Sequence, residues 1–514
     1  MNIRPAIKTF YDLCRQPLMT TENDSVINVS AAMRRVAFAY ERFRNTLEPD
    51  EEDVLRRKAI ARILSRRLAD NKPDTVTAIA LLQELIRGNY SKGINNDIVQ
   101  HVTREVTNLR LLNMSIDPAI KGWFMRVAAV SIDRELYSKS REEYLVQLFY
   151  YDAYRRVVWV DDLVKEDDRP AQLYVACHRA LFAADDYEIS YHYFINYLPD
   201  WKKKHLTKND APAVAAEISK FYPKIQTILA HPGRQRLTYL LRRPAVPYRI
   251  LRDVFQGSSA DLLSSPQALK QAVVTAMTER QQKLKDRMQR RARHSILFLL
   301  LTKTILTLLI EVPYEVFLLG SFSWLPFATN ILFHPFLLFA LSSLVQFPGA
   351  DNTEAVAEHI QNLVTGDGDG ETIVVKAPRQ YGNLTWSGFA LFYALLFMGI
   401  FWGLFTALDR LNFSLVAIAL FIIFLGLVSF LAVRIRRSAE EIRLLAKREG
   451  TVSLVASFLA LPVLEFGSWL AQNISQVNII LFLMDRILEA PFKLFIDITE
   501  EWFVFVRDRR EEIL

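Results

Sequence analysis

The chain has 514 residues, 51% hydrophobic and 23% charged, with a formal net charge of +7. That length exceeds what one hydrophobic core usually serves, so at least two domains are expected. Two cysteines, Cys14 and Cys177, exclude a disulfide framework and a cysteine-built zinc site. Apolar and charged residues are segregated: residues 1–294 hold no long apolar run, while residues 295–514 hold one after another. The fold class this predicts is all-α, an N-terminal cytosolic helical domain followed by a polytopic transmembrane bundle of about six segments in three hairpins.

From the amino terminus, MNIRPAIKTFYDLCRQ has no apolar core of signal-peptide length and reads as an amphipathic helix, so the first domain is expected to stay where it is made. Asp50, Glu51, Glu52 and Asp53 precede LRRKAIARILSRRLAD, which sets acidic residues at the positive end of a helix. Ile60, Ile63, Leu64 and Leu68 share its apolar face; Lys58, Arg62 and Arg66 form a basic stripe that reads as a solvated face. Pro73-Asp74 opens a helix that Gly88 closes, and Asp117-Pro118 opens another. Aromatics cluster at Tyr144, Phe149, Tyr150, Tyr151, Tyr154 and Trp159, and again from Tyr187 to Tyr197; at helical spacing they read as packing residues.

Adjacent Cys177 and His178 point about 100° apart on a helix, so one is expected buried and the other exposed, which is no catalytic pair. The chain has no GxxxxGK[ST], GxGxxG, HExxH or GxSxG pattern. No catalytic residue, cofactor or metal site is expected. Most of the basic excess lies beside apolar segments, so orientation in a membrane explains it and nucleic acid is not an expected partner.

A last helix of this domain begins near Ser265 and runs toward the membrane. Arg287, Arg290, Arg291 and Arg293 crowd its end, where positive charge is retained on the cytosolic side and can also meet lipid headgroups. Six apolar segments follow, at 295–319, 324–344, 384–408, 413–433, 452–470 and 477–498. They group as hairpins 295–346, 384–433 and 452–514, joined by a linker at 347–383 and a basic connection at 434–451 that carries Arg434, Arg436 and Arg437. This topology leaves both termini cytosolic in an integral, multi-pass protein of the cytoplasmic membrane. In the first linker Asp367, Asp369 and Glu371 alternate as calcium ligands sometimes do, but the later glutamate is missing and a turn is expected. The ETIVVKAP stretch after it reads as a lone short strand.

Charges inside the apolar segments carry the functional signal, because each costs at least about 2.5 kcal/mol in hydrocarbon. The first segment has Lys303, Thr307, Glu311 and Glu315, each four residues after the last, which makes one slanted polar stripe. The sixth has Asp485, Glu489, Lys493 and Asp497 at the same spacing, with Glu465, Arg486 and His334 as candidate partners. LIEVPYEVF at 309–317 also resembles ILEAPFKLF at 487–495, aligning Glu311 with Glu489 and Pro313 with Pro491; over nine residues of a membrane-biased alphabet this reads as chance similarity, with an inverted repeat as the alternative. The sixth segment either spans or lies flat at the interface; in the second case the fifth, with Pro462 and Gly467, is re-entrant.

Two functions fit. The first is a membrane-anchored scaffold whose cytosolic helices dock protein partners, with lipids and a second copy of the chain as further partners. The second is a transporter or channel for protons or small cations that uses the intramembrane carboxylates. An intramembrane enzyme ranks third and requires His334 to meet Glu311.

Overall fold

A computed structural model describes residues 3–16, 27, 34–35, 37–38, 41, 52–70, 72–91, 93–137, 139–257, 262–263, 265–320, 322–366, 371–377, 382–445, 451–476, 498 and 502. The fold is all-α apart from one pair of three-residue strands among the described residues. The chain divides into two compact units, one built from Pro5–Leu241 with Glu371–Val375 and the other from Arg242–Gly370 with Lys376–Asn478; Met1–Arg4 joins the second.

The first unit is a helical array: α1 (Pro5–Arg15), α2 (Glu52–Ala69), α3 (Asp74–Arg87), α4 (Asn96–Leu112), α5 (Pro118–Leu136), α6 (Ser140–Arg156), α7 (Arg169–Phe182), α8 (Asp186–Tyr197) and α9 (Ala211–Leu229). Local signals set the ends. Asp117 caps α5 by accepting from the Ala119 N–H at 2.9 Å, with proline in the first turn. Asn95 caps α4 in the same way through Ile98 N–H. Ile60, Ile63 and Leu64 are fully buried in a core shared with α3, α4, α5, α8 and α9. The basic stripe beside them is not a solvated face. Arg62 pairs with buried Glu41 at 2.9 Å and Arg66 with buried Glu84 at 2.5 Å.

Two further expectations change. Cys177 and His178 are both buried, because α7 is flanked on two sides and the His178 ring meets Tyr174 and His192 at 4.6 and 4.4 Å. Both cysteines are buried free thiols. The ETIVVKAP strand is not alone: β2 (Ile373–Val375) pairs in parallel with β1 (Val157–Trp159), Val157 opposite Ile373 and Trp159 opposite Val375. Arg156 secures the pair by donating twice to the Glu371 carbonyl, at 3.0 and 2.9 Å. Asp367 and Asp369 lie outside the described residues.

The first unit ends in α10 (Arg234–Arg242), whose last residue opens the second. The second unit contains α11 (Val246–Gly257), α12 (Pro266–Leu306), α13 (Trp324–Ser343), α14 (Ala350–Thr365), α15 (Asn383–Arg410), α16 (Leu415–Glu440) and α17 (Thr451–Gln476). Among the described residues, four of its helices are long and apolar enough to cross a membrane: the α12 helix extended to Leu319, α13, α15 and α16. Their burial pattern is inverted relative to a water-soluble protein. Phe298, Leu309, Phe317, Leu318 and Trp402 are 60–84% exposed, while charged and amide side chains between them are buried. Such a surface is at home in hydrocarbon. The fifth apolar segment is a continuous helix through Pro462, apolar over Ser457–Ala471. The sixth lies outside the described residues.

Within this unit α12 packs on α13, α14 and α16, and α16 packs closely on α17. The α16–α17 crossing is a glycine contact: a Cβ at Gly467 would stand 1.9 Å from the Gly426 carbonyl oxygen, and one at Gly426 3.2 Å from Gly467 Cα. Absence of side chains lets the two backbones meet, which is how apolar helices associate without a hydrophobic driving force.

Candidate functional site: a buried polar stripe

The continuation of α12 departs from α-helical geometry where the stripe begins. Residues Thr307–Glu311 and Tyr314–Leu319 form π-helical turns on either side of Pro313. The cause is local. Pro313 has no N–H to donate, and the Val312 N–H bonds to the Thr307 carbonyl, so the Leu308 carbonyl loses its ordinary helical donor. Wider turns also bring residues four apart closer to one line along the axis.

Lys303, Thr307, Glu311 and Glu315 are accordingly buried together, at 1%, 0%, 1% and 4% exposure, while Leu308, Leu309 and Phe317 face outward. From α13, Asn330 and His334 meet the stripe, both fully buried. Lys303 Nζ donates to His334 Nδ1 and lies over the rings of Phe421 and Phe424 on α16 at 5.4 and 5.1 Å. His334 Nε2 is 3.0 Å from the Phe421 carbonyl, which can only accept, so Nε2 carries the hydrogen and Nδ1 is the acceptor. One turn along, Asn330 Nδ2 donates to Glu311 Oε2 at 2.6 Å. Glu311 Oε1 and Asn330 Oδ1 are buried without a hydrogen-bond partner among the described residues. The Thr307 hydroxyl lies beside the same carboxyl but is not in hydrogen-bond geometry.

The structure thus brings together Lys303, Glu311, Glu315 and His334, and adds Asn330. His334 meets Lys303 and forms no hydrogen bond with Glu311 among the described residues, so the acid-base pair an enzyme would need is not formed. Glu465 on α17 is held elsewhere, accepting from the Tyr393 hydroxyl of α15 at 2.6 Å. Asp485, Arg486, Glu489 and Lys493 lie outside the described residues, as does the second copy of the short internal resemblance. Arg287, Arg290, Arg291 and Arg293 are exposed on α12, opposite Met288 and Ala292, which pack against Ile435 of α16. Arg434 and Arg436 are exposed on either side of Ile435; the Arg437 side chain is outside the described set. Asn330 was missed because an amide adds no charge to the segment. Its spacing of four residues from His334 was the available signal.

The first unit holds a different kind of polar cluster. Arg57, Arg134 and Lys139 surround Glu188 at 3.3, 3.1 and 3.6 Å, and Arg56 bonds to buried Asp133. Burial pushes the Glu188 carboxyl up, but Lys139, Arg57 and Arg134 outweigh it and hold the carboxyl below its usual value. Around Glu105 burial wins and raises the carboxyl to about 7, against hydrogen bonds from Ser131 and the Trp201 indole and the charge of Arg104. Every cation around Glu188 is matched by a carboxylate, which marks a structural network. Comparison of the chain with protein-family models, curated proteins and solved structures finds no match.

Proposed function

We propose that this chain is a multi-pass membrane protein that moves protons or small cations through the polar stripe of residues 303–315. The observation that carries the proposal is Glu311: a carboxyl 1% exposed, inside a helix long and apolar enough to span, with one oxygen lacking any partner among the described residues. An orphaned carboxyl oxygen costs as much as a lost hydrogen bond or more, and more inside an apolar span than in the first unit, where Glu105 Oε2 and Asp133 Oδ2 are orphaned too. Lys303, the nearby cation, is engaged by an imidazole and two aromatic rings and forms no ion pair with a carboxylate among the described residues. π-helical turns at the same place add support, because such turns concentrate at functional sites.

In this proposal residues 1–294 form a cytosolic domain, and the basic residues at 287–293 and 434–437 keep their side of the bundle in the cytosol beside anionic headgroups. Six crossings place both termini there. The test is flux of protons, sodium and potassium into liposomes of purified protein. Glu311→Gln is expected to abolish it with the fold intact; absence of flux under every gradient would overturn the proposal.

The scaffold reading draws on one separate observation. Tyr151, Tyr154, Val158 and Val160, at the end of α6 and along β1, are 48–58% exposed. Loss of a partner on Tyr151→Ala plus Tyr154→Ala in the full chain would favour that reading; an unchanged set of partners would count against it.

A further inference from the structure

We infer that Glu311 and Asn330 together bind a proton: Glu311 rests as a carboxylic acid whose Oε1–H donates to Asn330 Oδ1 while Asn330 Nδ2 donates to Glu311 Oε2. This rests on the transport reading and names the proton as the species its site takes.

Donors and acceptors at the site must balance. An ionised carboxylate only accepts, and a carboxamide offers one donor group and one acceptor. With Nδ2 committed to Oε2 at 2.6 Å, an ionised Glu311 leaves Oε1 and the amide oxygen as two buried acceptors without a donor, as observed among the described residues. One proton on Oε1 gives both a bond. A turn of the Thr307 hydroxyl toward Oε1 would satisfy that oxygen alone and leave Asn330 Oδ1 orphaned.

Charge balance agrees. Among the described residues, the ionisable groups facing Glu311 are Lys303 and Glu315 on its own helix and His334 on α13; α16 contributes rings and a carbonyl but no charged side chain between Leu415 and Val433. Lys303 and His334 share one positive charge, because a second would set an ammonium against an imidazolium. Two ionised carboxylates would then leave the buried stripe at a net −1. One carboxyl proton brings it to zero, and Asn330 selects Glu311 as the carboxyl that holds it.

The proton is exchangeable because only the Oε1–H bond breaks, as a bond to hydrogen forms on the acceptor. It leaves Oε1, Glu311 becomes a carboxylate, and the amide and Thr307 remain to orient it. Glu315, one turn on, is the nearest carboxylate able to receive it, and the Lys303–His334 pair, two turns back, can supply its replacement from the one positive charge it holds.

Infrared spectroscopy of the full-length protein in lipid bilayers tests this directly. At neutral pH in potassium buffer the wild-type protein is expected to show a protonated-carboxyl carbonyl band that disappears in Glu311→Gln, persists in Glu315→Gln, and shifts in Asn330→Val. Glu311→Asp, which keeps the carboxyl, is expected to keep the band at a shifted position and serves if the glutamine variant does not fold. A wild-type spectrum without a band that depends on residue 311 overturns the inference, and so does a band that sodium chloride removes and choline chloride does not, which would make the site a sodium site. Flux separates this result from the broader reading. A band without flux of protons, sodium or potassium leaves the proton site standing and defeats transport; flux without the band does the reverse.

Discussion

Lys303 donates to Nδ1 of His334, whose other ring nitrogen is committed to the Phe421 carbonyl at 3.0 Å, so an ammonium and an imidazole share one buried positive charge. Removing either partner leaves the other unsatisfied in an apolar bundle. His334→Leu is expected to destabilise the protein by about 3 kcal/mol, the scale of a broken buried charged pair. Adding Lys303→Met is expected to recover part of that loss, with a coupling of about 1–3 kcal/mol. Thermal unfolding of the four proteins of the cycle in detergent checks it; additive losses would show that the two side chains act independently.

The α16–α17 crossing gives a steric prediction. At Gly467 an added methyl meets the Gly426 carbonyl oxygen at 1.9 Å, a backbone atom that cannot turn aside. At Gly426 it first meets the Phe466 ring at 2.8 Å, which can rotate. Gly467→Ala is therefore expected to cost about 2 kcal/mol and Gly426→Ala clearly less, in thermal stability measured in the same detergent.

In the first unit, Glu105 sets a pH dependence of known sign. Its folded value of about 7 lies above its ordinary one, so the folded state keeps a proton that the unfolded state releases. Its contribution therefore declines as pH rises from about 4.5 to about 7, by about 3 kcal/mol in all, and is constant above that. Glu105→Gln is expected to gain stability relative to wild type across that window. A difference that does not change with pH would mean that Glu105 ionises normally in the fold.

Acid acts on the same unit through His178. Burial lowers its value to about 4, so between about 6.5 and 4 the unfolded chain binds a proton that the folded one refuses, and stability falls as pH falls. Glu188, held low by its three cations, adds a second loss below its ordinary carboxylate range. The His178→Phe variant is expected to flatten the first of these slopes and leave the second in place, as read from denaturation midpoints between pH 2 and pH 7.

Much of the site was legible in the sequence because charge is costly in hydrocarbon. A four-residue repeat of Lys303, Thr307, Glu311 and Glu315 inside an apolar run could only be a buried stripe, and the structure buries all four. The π-helical turns were half legible: Pro313 announced a freed carbonyl, while its identity depends on where the Val312 N–H goes. Asn330 was invisible to a search for charge. The exposure of Cys177 and His178 was misjudged because helical periodicity gives the angle between two side chains and says nothing about how many sides of the helix are covered. The β1–β2 pair escaped because three-residue strands carry no usable alternation and their partners are far apart in the chain. Arg62 and Arg66 read as solvated because their acceptors, Glu41 and Glu84, lie on other segments.

The most direct test compares two carboxylates. Glu311 belongs to the stripe; Glu465, also within an apolar helix, is bound to Tyr393 instead. Proton entry into liposomes under an imposed potential is measured for wild type, Glu311→Gln and Glu465→Gln, each with verified fold. Flux is expected in wild type and in Glu465→Gln, and the rate of empty liposomes in Glu311→Gln. Equal flux in all three, or none in wild type, would contradict transport through the stripe.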